Sequence, residues 1–520
     1  MSFLESNKKV FLILFSIYFL VNIPMLLNFN GIYWDDWILV NQNLDVLNFM
    51  FTEAIGYAGY LVAYLHYILI NYFGVFSYRV LTFLLLFLSG WFIFKILINI
   101  SLFNSLDRFF IALFFLIVPL YNAKTVLIDF PYTLFSTIFF FAFYLISKYL
   151  DNLGIVKRIL ILSLFFISFL LNSLLVFYAI VLIYIFYKVY DAKLIFIKNL
   201  ILFSIKKLDF ILIPIVFFII KNIFFTSKGV YTGYNKIDFN NILNFDKYIE
   251  VFKLNILYPI TESLQFLNIV IVCIIFIISI YFSRNLKFNL KIKKEFILLI
   301  IGFFIFILGA FPYIAVGKIP SSMEQDSRFQ VLLLLGFSMI VYFLIKIISY
   351  IFITKNNYIY GFFLFLFIYI FSINSFKYQI KYHWEWIYQQ SIIENFLSSD
   401  IIKNNSTFLV IDNILHKKFI RLGEMHMNGM SKAIFGKDDK LFIYRDLSQI
   451  DVFKKVCVIA KEFNCYNWVE DKPISFSIFN NQSIDVYGLL YLIKLKYLEI
   501  SDNKKFKETI KDLIWLKFYD

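Results

Sequence analysis

The sequence predicts an all-α polytopic membrane protein of about 11 transmembrane helices, followed by a small extracytoplasmic α/β domain at the C-terminus. Three observations predict this. Of the 520 residues, 61% are hydrophobic, 22% aromatic and only 16% charged, against roughly 25% charged in soluble domains. Apolar runs, several close to the ~20 residues that cover ~30 Å of hydrocarbon, recur from the N-terminus to near residue 376. After residue 376 the pattern changes to short apolar runs between polar, helix-like segments. A secreted enzyme and a disulfide scaffold are thereby excluded. The 49 Lys and Arg against 35 Asp and Glu, a net charge of +14, read as cytoplasmic loops of a membrane protein rather than as a nucleic-acid footprint. Cys273 lies in an apolar run, and Cys457 and Cys465 near the C-terminus lack metal-ligand spacing.

In chain order, the candidate spans are residues 10–27, 79–98, 109–127, 131–147, 159–171, 174–187, 209–225, 266–282, 296–316, 329–350 and 358–376. The first follows Lys8 and Lys9 and lacks a small-x-small cleavage site, so it is expected to be retained, with the N-terminus inside. A further apolar run, residues 57–73, decides the topology. If it crossed, the basic loops 188–207 and 284–294 would lie outside, against the positive-inside rule. Laid along the outer surface, it places the basic segments at Arg108, 148–158, 188–207, 284–294 and Lys355 all inside. Asn172 and Ser173 divide residues 159–187 into two short spans. The outer face then carries loops 28–78, around Asp129, 226–265 and 317–328, and the tail from residue 377. Within the tail an amphipathic stretch at 383–396 precedes strand-like runs at 408–411, 441–444 and 456–459.

The sharpest motif is Tyr33-Trp34-Asp35-Asp36-Trp37, about six residues beyond the first span. Aromatic anchoring with a solvated acid pair accounts for part of such a pattern. A carboxylate at the lipid–water boundary can also act as general base or ligate a hard divalent metal. Adjacent carboxylates point in different directions, so one of the two is expected to be the base. Farther along, Tyr57-Ala58-Gly59-Tyr60 opens the surface helix that contains His66 and ends in Phe73-Gly74, and Arg79 opens the next span.

This arrangement, an acidic pair after the first span, two surface-lying helices, a Phe-Gly turn and an Arg at the start of the next span, resembles the first external loop of the GT-C glycosyltransferases. That fold includes the protein O-mannosyltransferases, the aminoarabinose transferases and the catalytic subunit of oligosaccharyltransferase. The likeness covers residues 10–100 by motif and 100–376 by architecture. It implies a GT-C transmembrane domain over residues 1–376, a C-terminal domain over 377–520, and a polyprenyl-phosphate-linked sugar donor used on the outer face. The acceptor would be a lipid, glycan or protein of the cell envelope, and Asp35 or Asp36 would be the catalytic acid of the loop. Relatives often carry a basic or Pro-rich patch where this chain has Tyr57 and Tyr60.

A second constellation, Lys318 with Glu324, Asp326 and Arg328, lies in an outer loop where positive charge is not expected. As a donor-phosphate clamp, Arg328 supplies a planar fork and Lys318 a point charge; as a solvated hairpin, both are incidental. Asp129 is a third candidate, with an ion pair to Lys124 as its structural alternative. His66 reads as a hydrogen-bonded interfacial residue, and His416 and His426 lack metal spacing. No cofactor motif, Walker loop or dinucleotide fingerprint is present, which argues against ATP-driven transport. A divalent metal stays an open alternative. The expected activity is inverting sugar transfer in a bacterial inner membrane among membrane lipids, with no nucleic-acid partner. A flippase or carrier of lipid-linked glycans and a polysaccharide polymerase are the rival readings.

Overall fold

The computed structural model describes residues 6–40, 42–233, 235–283, 292–322, 324–352, 357–413, 423–436, 440–444, 473–480 and 484–519. These form a mostly helical bundle with a four-stranded sheet near the C-terminus. Among the described residues, six helices are long and apolar enough to cross a membrane, which makes the chain a multi-pass membrane protein: Asn7–Leu26, Val75–Ile98, Phe130–Asn152, Ile292–Ala315, Gln325–Tyr350 and Tyr358–Ser398. The pair Phe245–Leu264 and Ile269–Phe282, bent by 103°, adds a seventh when counted as one broken span.

Other runs expected to cross form shorter helices: Ser105–Ile117, Ile155–Ser168, Ala179–Val189 and Leu208–Phe224. At ~1.5 Å per residue these reach about 16–26 Å, less than the ~30 Å of hydrocarbon. The reasons are local. Pro119 cannot extend the helix that ends at Ile117, so the second half of the run 109–127 becomes a buried connection with one 3-10 turn, Asn122–Thr125, instead of α-helix. At Asn172 the chain breaks between Ile155–Ser168 and Ser173–Phe177, where the sequence placed the interruption. The run 57–73 holds the helix Ala58–Ile68 and a π turn, Leu69–Phe73, bounded by Gly56 and Gly74, both at positive φ. With 11 residues in its α-helix, it packs on Leu44–Ile55 as the second of two short helices.

Aromatic edges lock the first helix to Val75–Ile98, with Phe11 and Phe15 each in T-shaped contact with Phe87 at 5.1 Å. At the centre lies Ser105–Ile117, whose residues from Phe109 to Ile117 are all buried. The helices Ile292–Ala315 and Leu333–Phe352 approach closely because Gly336 carries no side chain. A Cβ there would stand 2.4 Å from the Phe306 nitrogen, the small-residue solution to helix contact in lipid.

A single helix, Asn357–Ser398, runs 42 residues, about 63 Å. It joins the last expected span to the amphipathic stretch 383–396, so the expected boundary at 376/377 falls inside a continuous rod. Its Phe396 stacks on Phe442 at 5.0 Å and thereby carries the sheet. The sheet has the order β2-β1-β3-β4, with β1 at Thr407–Asp412, β2 at Leu441–Tyr444, β3 at Ile474–Asn480 and β4 at Ile514–Tyr519. β1 pairs in parallel with β2 and β3, and β4 closes the sheet antiparallel to β3. Strands were expected at the first two positions. The expected strand at 456–459, along with His416, Cys457 and Cys465, lies outside the described residues.

Candidate functional site

Four segments converge where the tail meets the bundle: the loop after the first helix, the loop 118–129, the loop 317–330 and the extension of the long helix. The first loop turns at Trp34, whose φ of 49° lies in the left-handed region. Such a conformation costs a bulky residue on the order of 1–3 kcal/mol. Neighbours hold it there. The Trp34 N–H donates to His426 Nε2 at 3.0 Å, Trp37 Nε1 donates to Gln389 Oε1 at 2.9 Å, and the Tyr33 hydroxyl donates to the Tyr382 carbonyl at 2.8 Å. Trp37 also lies against Gly429, where a Cβ would stand 2.4 Å from its own Cβ. Helix Glu424–Phe435 of the tail therefore grips the acidic turn directly.

The two carboxylates of that turn have different surroundings. Asp36 is fully buried, and it accepts from the backbone N–H groups of Tyr33 at 3.1 Å and Ile128 at 2.8 Å. It staples the first loop to the loop that carries Asp129. Burial pushes the Asp36 carboxyl up to about 7, against the pull of Arg79. Arg79, itself buried, donates to the carbonyls of Gly31 and Thr125, one in each loop. Asp35 is half-buried, and its Oδ2 accepts from Gln325 Nε2 at 2.5 Å. Of the pair, Asp35 is the one that can meet a substrate.

Asp129 is buried beside them. Its charged partner is Arg328, at 3.8 Å, and not Lys124, which donates instead to Asn22 Oδ1 at 2.8 Å. The expected Asp129–Lys124 pair is thus corrected: the chain folds Lys124 back onto the first helix. Burial pushes Asp129 up to about 8, with Arg328 opposing and Asp36 and Asp35 adding to the rise. Lys318 and Arg328 share the ring of Phe329, at 5.5 and 4.9 Å from its centroid. Burial, then the charge of Arg328, lowers Lys318 to about 8. Two cations held this close are stabilised by any anion placed between them. Lys318 Nζ also donates to Asn235 Oδ1 at 2.7 Å, and Asn235 lines a cavity of about 290 Å³ with Lys221, Lys236 and the apolar side chains of Ile55, Leu170 and Phe217.

The remaining expected residues stand apart. Tyr57 and Tyr60 are 67% and 46% exposed on the short surface helix. His66 is buried, stacked on Phe51 and bonded through Nδ1 to the Tyr78 hydroxyl at 2.8 Å. Burial pushes it down to about 3, so it stays neutral. Among the described residues, no three His, Cys, Asp or Glu side chains are grouped to hold a metal ion. His426, Gln389 and Gln325 were not singled out for the site from sequence. Their partners lie 290 or more positions away, and no local spacing announces such contacts. Compared with known proteins, the sequence matches no family model and no curated protein.

Proposed function

We propose that the chain is an integral membrane glycosyltransferase of the GT-C type, moving a sugar from a polyprenyl-phosphate donor to a cell-envelope acceptor on the outer face of the membrane. The observation that supports this reading is the juxtaposition of a reachable carboxylate, Asp35, with the Asp129–Arg328–Lys318 group at one end of the bundle. Asp35 takes the proton of an acceptor hydroxyl, and the freed oxygen attacks the anomeric carbon. The bond from that carbon to the phosphate oxygen breaks, and the lipid phosphate leaves with the electron pair, held by Arg328 and Lys318. A single attack inverts the anomeric configuration. Asp36 and Arg79 position the loops. The cavity beside Lys318, lined by both lysines and apolar side chains, suits a phosphate that enters attached to a lipid chain. In this reading the shorter helices also belong to the membrane domain, giving eleven crossings with the N-terminus inside and the tail outside. The bacterial inner membrane is the proposed location.

The carrier reading draws on a different observation, the buried Asp107–Lys346–Glu295 group at the end of the bundle away from the tail, since buried charges at membrane helices mark transport pathways. Sugar transfer from labelled polyprenyl-phosphate monosaccharides by the purified protein in lipid separates the two. Loss of transfer in Asp35→Asn with donor binding retained is the expected result. Transfer unchanged in Asp35→Asn overturns the proposed base, and donor movement across the bilayer without transfer favours the carrier.

A further inference from the structure

A second cavity, of about 300 Å³, opens between the first loop, the long helix Asn357–Ser398 and the tail helix Asn503–Lys511. Its walls include Asn30, Trp386, Gln390, Glu394, Asn503 and Phe506. We propose that this cavity binds a neutral carbohydrate, the acceptor glycan of the reaction; the acceptor role rests on the glycosyltransferase reading above.

Chemistry, charge and position favour that ligand. Trp386 lines the cavity with the edge of an aromatic ring, while the amides of Asn30, Gln390 and Asn503 offer donors and acceptors to hydroxyls. Trp386 is only 6% exposed, and among the described residues neither its Nε1 nor Gln390 Oε1 has a hydrogen-bond partner. These residues stand four apart on one helix face. A hydroxyl that reaches these two buried atoms can accept from the indole and donate to the amide, giving each the partner it lacks. The charges at the cavity are already neutralised: Glu394 pairs with Lys507 at 3.1 Å, and Glu499 pairs with Lys496 at 2.7 Å. An anionic ligand therefore finds no surplus cation here, in contrast to the Lys318–Arg328 end. The volume sits at the lower end of the ~300–1,000 Å³ of small-molecule sites, suited to the last one or two sugar rings of a chain. Asn30 lies five residues before Asp35, and the Trp386 ring stands 6.3 Å from that of Trp37. A glycan end seated in this cavity lies beside the acidic turn.

Saturation-transfer NMR and titration on the full-length protein in lipid nanodiscs test this, with glucose, galactose, N-acetylglucosamine, lactose and chitobiose as probes. Saturable binding is expected, weakened about tenfold by Trp386→Phe, which keeps the ring and removes the N–H, and also by Asn503→Leu on the separate tail helix. If no probe binds saturably, or if binding is the same in both cavity variants, the proposal falls. Binding that responds to both variants, without transfer from any polyprenyl-phosphate sugar, keeps the carbohydrate site and removes the enzyme reading. Transfer to these saccharides with KM unchanged in both variants does the reverse.

Discussion

At the end of the bundle away from the tail, Lys346 Nζ lies 2.9 Å from Asp107 and 2.8 Å from Glu295. The Tyr342 hydroxyl donates to the same Asp107 oxygen at 2.9 Å and meets the Tyr360 hydroxyl at 3.0 Å. At the tail end, Arg328 stands 3.8 Å from Asp129, Asp35 is held by an amide, and two cations crowd one aromatic ring. Both clusters sit in surroundings of low polarity. The first is closed, with short contacts from four separate helices, which is how a buried charge group avoids an uncompensated penalty. The second crowds two like charges on one ring, and burial pushes the Asp129 and Asp36 carboxyls upward. Opposite charges in direct contact identify the structural cluster; like charges crowded together with perturbed protonation mark the candidate site.

The sharpest way to break that contrast is Asp35→Asn. Loss of the base should lower kcat by roughly 10²–10⁴-fold with the thermal midpoint unchanged, measured on protein of equal folded yield. A matching fall in stability would make Asp35 structural. Lys346→Met should act the other way round. It leaves Asp107 and Glu295 buried without their cation, at a cost of about 3–5 kcal/mol, seen as a large drop in unfolding midpoint in detergent. Adding Asp107→Asn and Glu295→Gln to it should recover most of that loss, and failure to recover it would give the cluster a role beyond packing. Arg328→Gln is expected to weaken donor turnover by about 10–100-fold, with a smaller effect on a donor analogue lacking phosphate; equal effects on both would remove Arg328 from the phosphate.

The smallest expected effect concerns pH. Asp36 ionises as pH rises through about 7, and its charged form accepts more strongly from the two backbone N–H groups that join the loops. Transfer should therefore rise through that range, with a change of a few-fold, and the limb should flatten in Asp36→Asn. Stability should move oppositely. The folded pKa stands above the unfolded value of ~3.9, so the unfolded chain loses this proton first, and stability falls as pH rises from about 4 to 7 and then levels off. An unaltered pH profile in Asp36→Asn would detach this residue from the site.

Much of the architecture was legible because lipid leaves the backbone few choices. Every N–H and C=O must be paired within the segment, so long apolar runs such as 79–98 and 296–316 read directly as helices. The break at Asn172–Ser173 was legible for a related reason: a polar pair interrupts local helical order. The truncation of the run 109–127 at Ile117 was missed because hydropathy counts the buried loop beyond Pro119 as hydrocarbon. The 42-residue helix was missed because its surface changes from lipid-facing to amphipathic near Lys377 while its backbone remains helical.

Sequence alone therefore determined the membrane class, the helical runs, the tail strands at 408–411 and 441–444, and the acidic turn as the place to look. Tertiary structure decided which of two adjacent carboxylates is reachable, that Asp129 meets Arg328 rather than Lys124, and that His426 and Gln389 of the tail hold the turn in place. Hydropathy and turn chemistry act over a few neighbouring residues and are written in the local sequence. The burial that shifts Asp36 and the contacts that bend Trp34 come from segments some 90 to 390 positions away, and only packing brings them together.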